Sequence, residues 1–134
     1  MKAVARFISH WWPSLIVLAV IIYGTWVPKP IDPDNIPAIP GIDKIIHAIM
    51  MGGFTGSLLF DFRRSGHVLT RRTIVIAAVA VALFSIADEV IQGLLPIGRP
   101  SDPLDLLADW GGIVIAVFTA PPAVNACFRS RRQQ

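Results

Sequence analysis

The sequence contains a single cysteine, Cys127, and few charged residues. One cysteine excludes an internal disulfide and any metal site built from several cysteines. Charged residues make up 16% of the 134-residue chain and hydrophobic residues make up 54%, with a mean hydropathy of +0.61. This composition is too apolar for an ordinary soluble domain, and it predicts an integral membrane protein.

Several functional patterns are also missing from the sequence. It has no P-loop, GxGxxG, GxSxG or HExxH pattern, so the common nucleotide-binding, hydrolase and zinc-protease motifs are excluded. The net charge is only +3, and the basic residues flank apolar runs instead of alternating with exposed aromatic residues. We therefore expect no nucleic-acid partner. The length is that of one domain, covering residues 1–134.

Four apolar segments predict an all-α, four-helix membrane bundle. The helices are predicted at about residues 7–27, 41–60, 73–95 and 103–120, and the last could reach 128 through a kink at Pro121 and Pro122. The third helix would be about 34 Å long at about 1.5 Å per residue, enough for a hydrocarbon core of about 30 Å. The first segment could be a signal peptide, but no cleavage site of small residues follows it, so we expect a retained helix.

The charges predict the orientation of the bundle. Nine of the 12 Lys and Arg residues lie at the amino terminus, in the segment 61–72 and after the last helix. Eight of the nine acidic residues lie at the opposite ends of the helices, and Asp61 is the exception. Because basic residues concentrate on the cytoplasmic side of membrane proteins, both termini are predicted to be cytoplasmic.

Three predicted helices carry ionisable residues at one depth near the outer face. His47 and Asp109 each lie about six residues inside the outer ends of their helices, as does Glu89, which corresponds to roughly 9 Å. Asp43 and Asp105 precede His47 and Asp109 by one turn and share their helix faces. This coincidence predicts a polar cavity open to the outer leaflet or the extracytoplasmic space.

Ionisable residues inside a membrane are costly and usually functional. Asp88, Glu89 and His47 are therefore candidate acid–base residues, because two neighbouring buried carboxyl groups do not both ionise easily. Arg99 is a candidate phosphate-binding residue, since a guanidinium group binds phosphate or carboxylate through two hydrogen bonds. The remaining candidate ligand-binding residues share the outer ends of the helices: Asp43, Lys44, Gln92, Asp105 and Asp109.

Each candidate has a structural alternative. Asp88 and Glu89 could form a polar knot that joins helices, and Arg99 could pair with an aspartate. Lys44 could simply extend to the membrane surface, and Asp102 could cap the fourth helix. A divalent cation such as Mg or Mn is a further hypothesis, but no diagnostic metal motif is present and no metal ligand is assigned. The oxygen-rich set for such a cation would be His47, Asp88, Glu89, Asp105 and Asp109.

The order and spacing of these residues resemble the VanZ-like family of small bacterial membrane proteins. The matching motifs are Asp43-Lys44-x2-His47, Asp88-Glu89-x2-Gln92 and Arg99-x5-Asp105-x6-Gly112, within about residues 40–120. The resemblance implies a multi-pass protein of the bacterial cytoplasmic (inner) membrane. It also implies a relationship to the founding member, which is linked to teicoplanin resistance, but it brings no settled biochemical mechanism.

The chain departs from the pattern of this family at several positions. Met50 and Met51 stand where family members often have a tyrosine. Asp109 stands where many have an asparagine, and Asp102 stands where many have a serine. These departures make the predicted site more acidic.

Three hypotheses for function follow. The protein could bind or act on a lipid-linked or cell-wall-associated ligand at the outer leaflet; whether it is an enzyme stays open. An enzymatic version would use Glu89 or Asp88 as acid and base, His47 as their partner and Arg99 to hold a phosphate. Alternatively, the protein could organise the membrane without catalysis, or it could be a small transporter.

Overall fold

The computed structural model describes residues 2–27, 40–96 and 102–130, with side chains from Phe7 onward. Within these ranges the chain is all-α and contains no strand. The helices are α1 (Lys2–Trp26), α2 (Ile42–Arg64), α3 (Arg71–Leu94) and α4 (Pro103–Ser130). All four are long and apolar enough to cross a membrane, which confirms the predicted fold class.

The second helix is longer at its carboxyl end than predicted. It continues four residues beyond Phe60, to Arg64, and Ser65 follows as its cap. Gly66 then adopts a φ of 90°, in the left-handed region that glycine enters without steric cost. The apolar run had suggested an earlier end, because three of the four residues 61–64 are charged and resemble a loop by composition. The helix therefore ends where the backbone turns and not where the hydrophobic residues stop.

The fourth helix runs through the Pro121–Pro122 pair to Ser130. The two prolines remove backbone N–H donors, but they do not end the helix. The first and third helices differ from the predicted bounds mainly at their starts, since α1 begins at Lys2 and α3 at Arg71. The Thr70 hydroxyl accepts a hydrogen bond from the Thr73 N–H and caps α3.

Helices α2 and α4 approach each other until their backbones touch. A Cβ atom built on Gly112 would lie 2.0 Å from the Ala48 carbonyl oxygen. A Cβ atom built on Gly52 would lie 2.9 Å from the Gly112 carbonyl oxygen. Small residues permit such close packing in membranes, where lipid is as apolar as the helices and association depends on packing. Within the chain, Gly52 therefore serves the contact between α2 and α4.

The apolar core contains side chains from all four helices: Ile21, Met51, Phe54, Val81 and Ile113. Many large apolar residues instead face outward, such as Leu83 and Phe118, which are 62% and 75% exposed. Exposed apolar surface of this extent is expected of helices that contact lipid.

Asp61 lies inside α2 and is fully buried, although its position in the sequence predicted a residue of the inner loop. Its Oδ2 accepts hydrogen bonds from the Ser14 N–H at 3.0 Å and from the Ser14 hydroxyl at 2.6 Å. These bonds join α1 to α2 at the end that the charges predict to be cytoplasmic.

The contact between α2 and α4 makes a testable prediction about Gly112. Gly112→Ala should separate the two helices, because the added methyl group would overlap the Ala48 carbonyl. Overpacking of this kind costs about 1–3 kcal/mol of unfolding free energy. Gly111→Ala is the matched control, since a Cβ atom there meets no atom within 4 Å. Thermal unfolding in detergent, followed by circular dichroism, should show a loss of stability for Gly112→Ala and none for Gly111→Ala. Equal stabilities of the two variants would contradict the close contact between α2 and α4.

Candidate functional site

Lys44 near the start of α2 places its ammonium group among three carboxylates. Nζ lies 2.9 Å from Asp43 Oδ2, 2.9 Å from Asp102 Oδ2 and 2.8 Å from Asp105 Oδ1. Lys44 is 30% exposed and also forms these ion pairs, so the alternative that it extends to the membrane surface stays a prediction. Three carboxylates face one ammonium group here, so this part of the site has an excess of negative charge when all of them are ionised.

Asp102 has two roles at the start of α4. Its Oδ1 accepts a hydrogen bond from the Leu104 N–H at 2.9 Å, so the predicted helix cap is confirmed. Its Oδ2 accepts a hydrogen bond from the Lys44 ammonium group. The Lys44 hydrogen bond, followed by the Leu104 one, lowers the pKa of Asp102 below its usual value, because both favour the ionised carboxylate.

His47 and Asp109 form a buried pair between α2 and α4. His47 Nδ1 lies 3.0 Å from Asp109 Oδ1, and the two side chains are 4% and 1% exposed. Where Asp109 is ionised, Nδ1 carries the proton and donates it to Asp109, because a carboxylate only accepts hydrogen bonds. Nε2 faces Asp105, 3.8 Å from its Oδ2, and is the ring atom that can exchange a proton with a ligand.

Glu89 of α3 joins the start of α4. Its Oε1 accepts a hydrogen bond from the Asp102 N–H, an amide at the positive end of the helix dipole. The charge of Glu89 also acts on His47, Asp105 and Asp109, so the carboxylate belongs to the same electrostatic environment. In the structure, ionisable side chains of α2, α3 and α4 therefore lie together at this end of the bundle; their common depth in the membrane stays a prediction. We call the combined set the outer cluster: Asp43, Lys44, His47, Glu89, Asp102, Asp105 and Asp109.

Asp88 faces α1, although it is adjacent to Glu89 in the sequence. Its Oδ1 accepts hydrogen bonds from the Thr25 hydroxyl at 3.0 Å and from the Trp26 indole N–H at 2.7 Å. Its Oδ2 accepts one from the Gln92 amide at 2.9 Å. Consecutive helical residues point about 100° apart, which explains why the two acids have different partners. These contacts account for the burial of Asp88 and Gln92 without a ligand; their functional roles stay predictions.

The partners of Asp88 were not recognised from the sequence. Neither Thr25 nor Trp26 lies in one of the motifs identified in the sequence. The sequence did contain a signal for this contact, because a buried carboxylate needs hydrogen-bond donors and α1 has two of them at its carboxyl end. Which end of which helix supplies them depends on packing. Arg99 lies outside the described residues, so its predicted role in phosphate binding stays a prediction.

The carboxylates that converge most closely differ from the set that the metal hypothesis named. Among the described residues, oxygen atoms of Asp43, Asp102 and Asp105 lie within 4.8 Å of one another. The Lys44 ammonium group already binds all three, and it supplies the positive charge that a metal ion would otherwise provide. Asp88, which the hypothesis included, is directed toward α1. Cation binding therefore stays a hypothesis without further support.

An apolar groove runs along the outside of the α2–α4 contact, with a volume of about 380 Å³. Its lining includes Ile45, Ile49, Gly53, Gly56, Ile115 and Thr119. The sequence had predicted a polar cavity at this end of the bundle. In the described part of the chain, the polar side chains instead contact one another, and the open space beside them is apolar.

The profile of the VanZ/LLP1 family matches residues 2–125. The chain belongs to this family. The match extends well beyond the segment 40–120 that carried the resemblance, and it includes α1, whose Thr25 and Trp26 bind Asp88. No curated protein and no solved structure is significantly similar to the chain. Membership of the VanZ/LLP1 family thus supports a multi-pass membrane protein and leaves the ligand to be inferred from the site.

The hydrogen bonds of Asp88 predict different effects for two substitutions. Asp88→Ala removes the acceptor of the Trp26 indole N–H and of the Gln92 amide, at a cost of about 1–3 kcal/mol for each unpaired group, whereas the Thr25 hydroxyl can still donate to the Ile21 carbonyl. Asp88→Asn keeps an oxygen for these donors, and the Gln92 amide can rotate to accept from the new NH₂ group. Unfolding in detergent, followed by Trp fluorescence, should show a large loss of stability for Asp88→Ala and a smaller loss for Asp88→Asn. Equal losses would contradict this assignment.

The pKa of Asp102 provides a second test of the site. Lys44→Gln should raise the pKa of Asp102 toward its usual value, whereas Lys44→Arg should keep it low because the positive charge remains. Since the folded-state pKa is lowered, the contact stabilises the fold above the unfolded-state pKa. That stabilisation is lost as pH falls through the folded-state value. Carbon NMR of labelled aspartate in the two variants would measure the shift; identical titrations would contradict the contact.

Proposed function

We propose that this VanZ-family protein binds a lipid-linked or other cell-envelope ligand at the outer leaflet, through the outer cluster. The observation that carries the proposal is a continuous polar chain across the α2–α4 contact. Asp105 contacts Lys44 through Oδ1 and faces His47 Nε2 through Oδ2, and His47 binds Asp109. Ionisable residues at membrane depth mark ligand or proton pathways far more often than they serve helix packing alone.

The proposed location is the bacterial cytoplasmic membrane, with both termini in the cytoplasm. The distribution of basic residues supports this orientation, and it directs the outer cluster toward the extracytoplasmic side. On that side the cluster would meet lipid head groups and lipid-linked precursors of the cell wall. The family relationship adds teicoplanin resistance as the phenotype to examine.

The geometry of His47 supports proton exchange with the ligand. Asp109 orients the ring through Nδ1, and Nε2 is free of a hydrogen bond within the described residues. A buried carboxylate that orients a histidine and stabilises its protonated form is a common arrangement for a general base. Glu89 lies in the same electrostatic environment as His47, and in its protonated form it would serve as the acid. If the protein also converts the bound ligand, we propose that the reaction uses this acid–base chemistry of His47 and Glu89.

A membrane-organising protein without catalysis is the second candidate function. The observation that favours it is the hydrogen bonding of Asp88, whose two oxygens bind donors from α1 and α3. If the outer cluster only joined helices, substitutions of its residues would change the stability of the protein and no other property. The two candidates therefore predict different results for a variant that folds normally.

His47→Asn distinguishes these functions. The asparagine amide can replace Nδ1 as a donor to Asp109, but it cannot exchange a proton as Nε2 does. We expect normal membrane insertion and normal thermal stability, with loss of the teicoplanin protection that the wild-type protein gives to a bacterial host. The measurement is the inhibitory concentration of teicoplanin in strains that express either protein or neither.

Retention of full protection by His47→Asn would support the structural role of the outer cluster. Absence of protection by the wild-type protein itself would remove the proposed link to teicoplanin. His47→Leu serves as the comparison, because it leaves Asp109 buried without a donor and should lower stability as well as protection.

A further inference from the structure

The apolar groove begins at the outer cluster. On α2, the lining residue Ile45 directly follows Lys44. On α4, Asp105 precedes the lining residue Gly112 by seven residues, or about two turns, and so lies on the same face of the helix. A molecule whose polar group binds the carboxylates around Lys44 can therefore extend along the groove without leaving the protein surface.

The dimensions of the groove match one hydrocarbon chain in one leaflet. From Ile45 to Gly56 the groove follows α2 for eleven residues, or about 16 Å at about 1.5 Å per residue. One leaflet contributes about half of the roughly 30 Å hydrocarbon core. The close backbone contact of Gly52 and Gly112 forms the floor, and large apolar side chains such as Ile49 and Ile115 form the walls.

The charge at the head of the groove favours a cationic group. Asp43 and Asp102 have side chains that are 43% and 38% exposed, and both share the single Lys44 ammonium group with Asp105. A second primary ammonium group could bind the two exposed carboxylates as Lys44 does, through charge-assisted hydrogen bonds. An anionic head group would instead meet uncompensated negative charge among the described residues.

We propose that the ligand is a phospholipid with a primary amine in its head group. The ammonium group binds Asp43 and Asp102 at the rim of the outer cluster, and one acyl chain lies in the groove between α2 and α4. This inference rests on the proposed function and names the chemical class of its ligand. His47, whose Nε2 faces Asp105, lies one helical turn after Asp43 and so deeper in the bundle than the proposed amine site.

Gly53→Leu tests the acyl-chain site directly. A Cβ atom on Gly53 meets no atom within 4 Å, so leucine fills the groove without straining the fold. Gly111→Leu is the matched control, because its Cβ atom also meets open space and Gly111 does not line the groove. The proteins are reconstituted in vesicles of equal parts phosphatidylethanolamine, phosphatidylcholine and phosphatidylglycerol, then extracted in mild detergent. Native mass spectrometry measures the lipid that each protein retains.

We expect the wild-type protein and Gly111→Leu to retain phosphatidylethanolamine about tenfold above the other two lipids, and Gly53→Leu to lose this preference. The double variant Asp43→Asn, Asp102→Asn should lose the selectivity for the amine. Phosphatidylcholine tests the requirement for N–H donors, because its quaternary ammonium group is equally charged but cannot donate hydrogen bonds.

Other outcomes would overturn the inference. Retention of phosphatidylglycerol, or of all three lipids equally, would reject the amine as the recognised group. Undiminished retention by Gly53→Leu would reject the groove as the chain site. A lipid-free dimer that Gly53→Leu dissociates would assign the groove to a second copy of this chain. None of these results would remove the proposed function, which loses its support only if His47→Asn protects as the wild type does.

Discussion

The backbone contact between α2 and α4 sets the geometry of the whole outer end of the molecule. Gly112 and Ala48 approach so closely that no side-chain carbon fits between them. One turn further out, this spacing brings His47 within 3.0 Å of Asp109, and at the helix starts it brings Lys44 within 2.8 Å of Asp105. The same contact leaves a groove on the lipid-facing side, so the polar cluster and the apolar groove have one structural cause.

Buried carboxylates impose the second constraint, because each needs donors or a positive charge inside an apolar bundle. Asp61 and Asp88 accept hydrogen bonds from α1, at opposite ends of that helix, although the buried Oδ1 of Asp61 has no hydrogen-bond partner within the described residues. The first helix buries few residues, so these two carboxylates are prominent among its contacts with the bundle. In contrast, Asp43 and Asp102 remain partly exposed beside Lys44. These contacts favour an architectural role for the buried pair, and we propose that the exposed pair recognises the ligand.

The sequence predicted the fold well because long apolar runs have few alternatives to membrane helices. It also predicted that His47, Glu89 and Asp109 would share one end of the bundle, but it predicted an open polar cavity where His47 and Asp109 contact each other directly. It could not predict that Asp88 turns to α1, because that depends on the rotation of α3 about its axis. The burial of Asp61 was missed for a related reason: composition suggested a loop, but the Gly66 turn sets the end of the helix.

A crystal structure grown from a lipidic mesophase that contains phosphatidylethanolamine would test the central claim most directly. The claim is that the outer cluster is a ligand site and not only a connection between helices. We predict head-group density within hydrogen-bonding distance of Asp43 or Asp102, continuous with an acyl chain beside Gly53. A cluster whose rim contacts only protein, with a helix of a neighbouring copy in the groove, would contradict it.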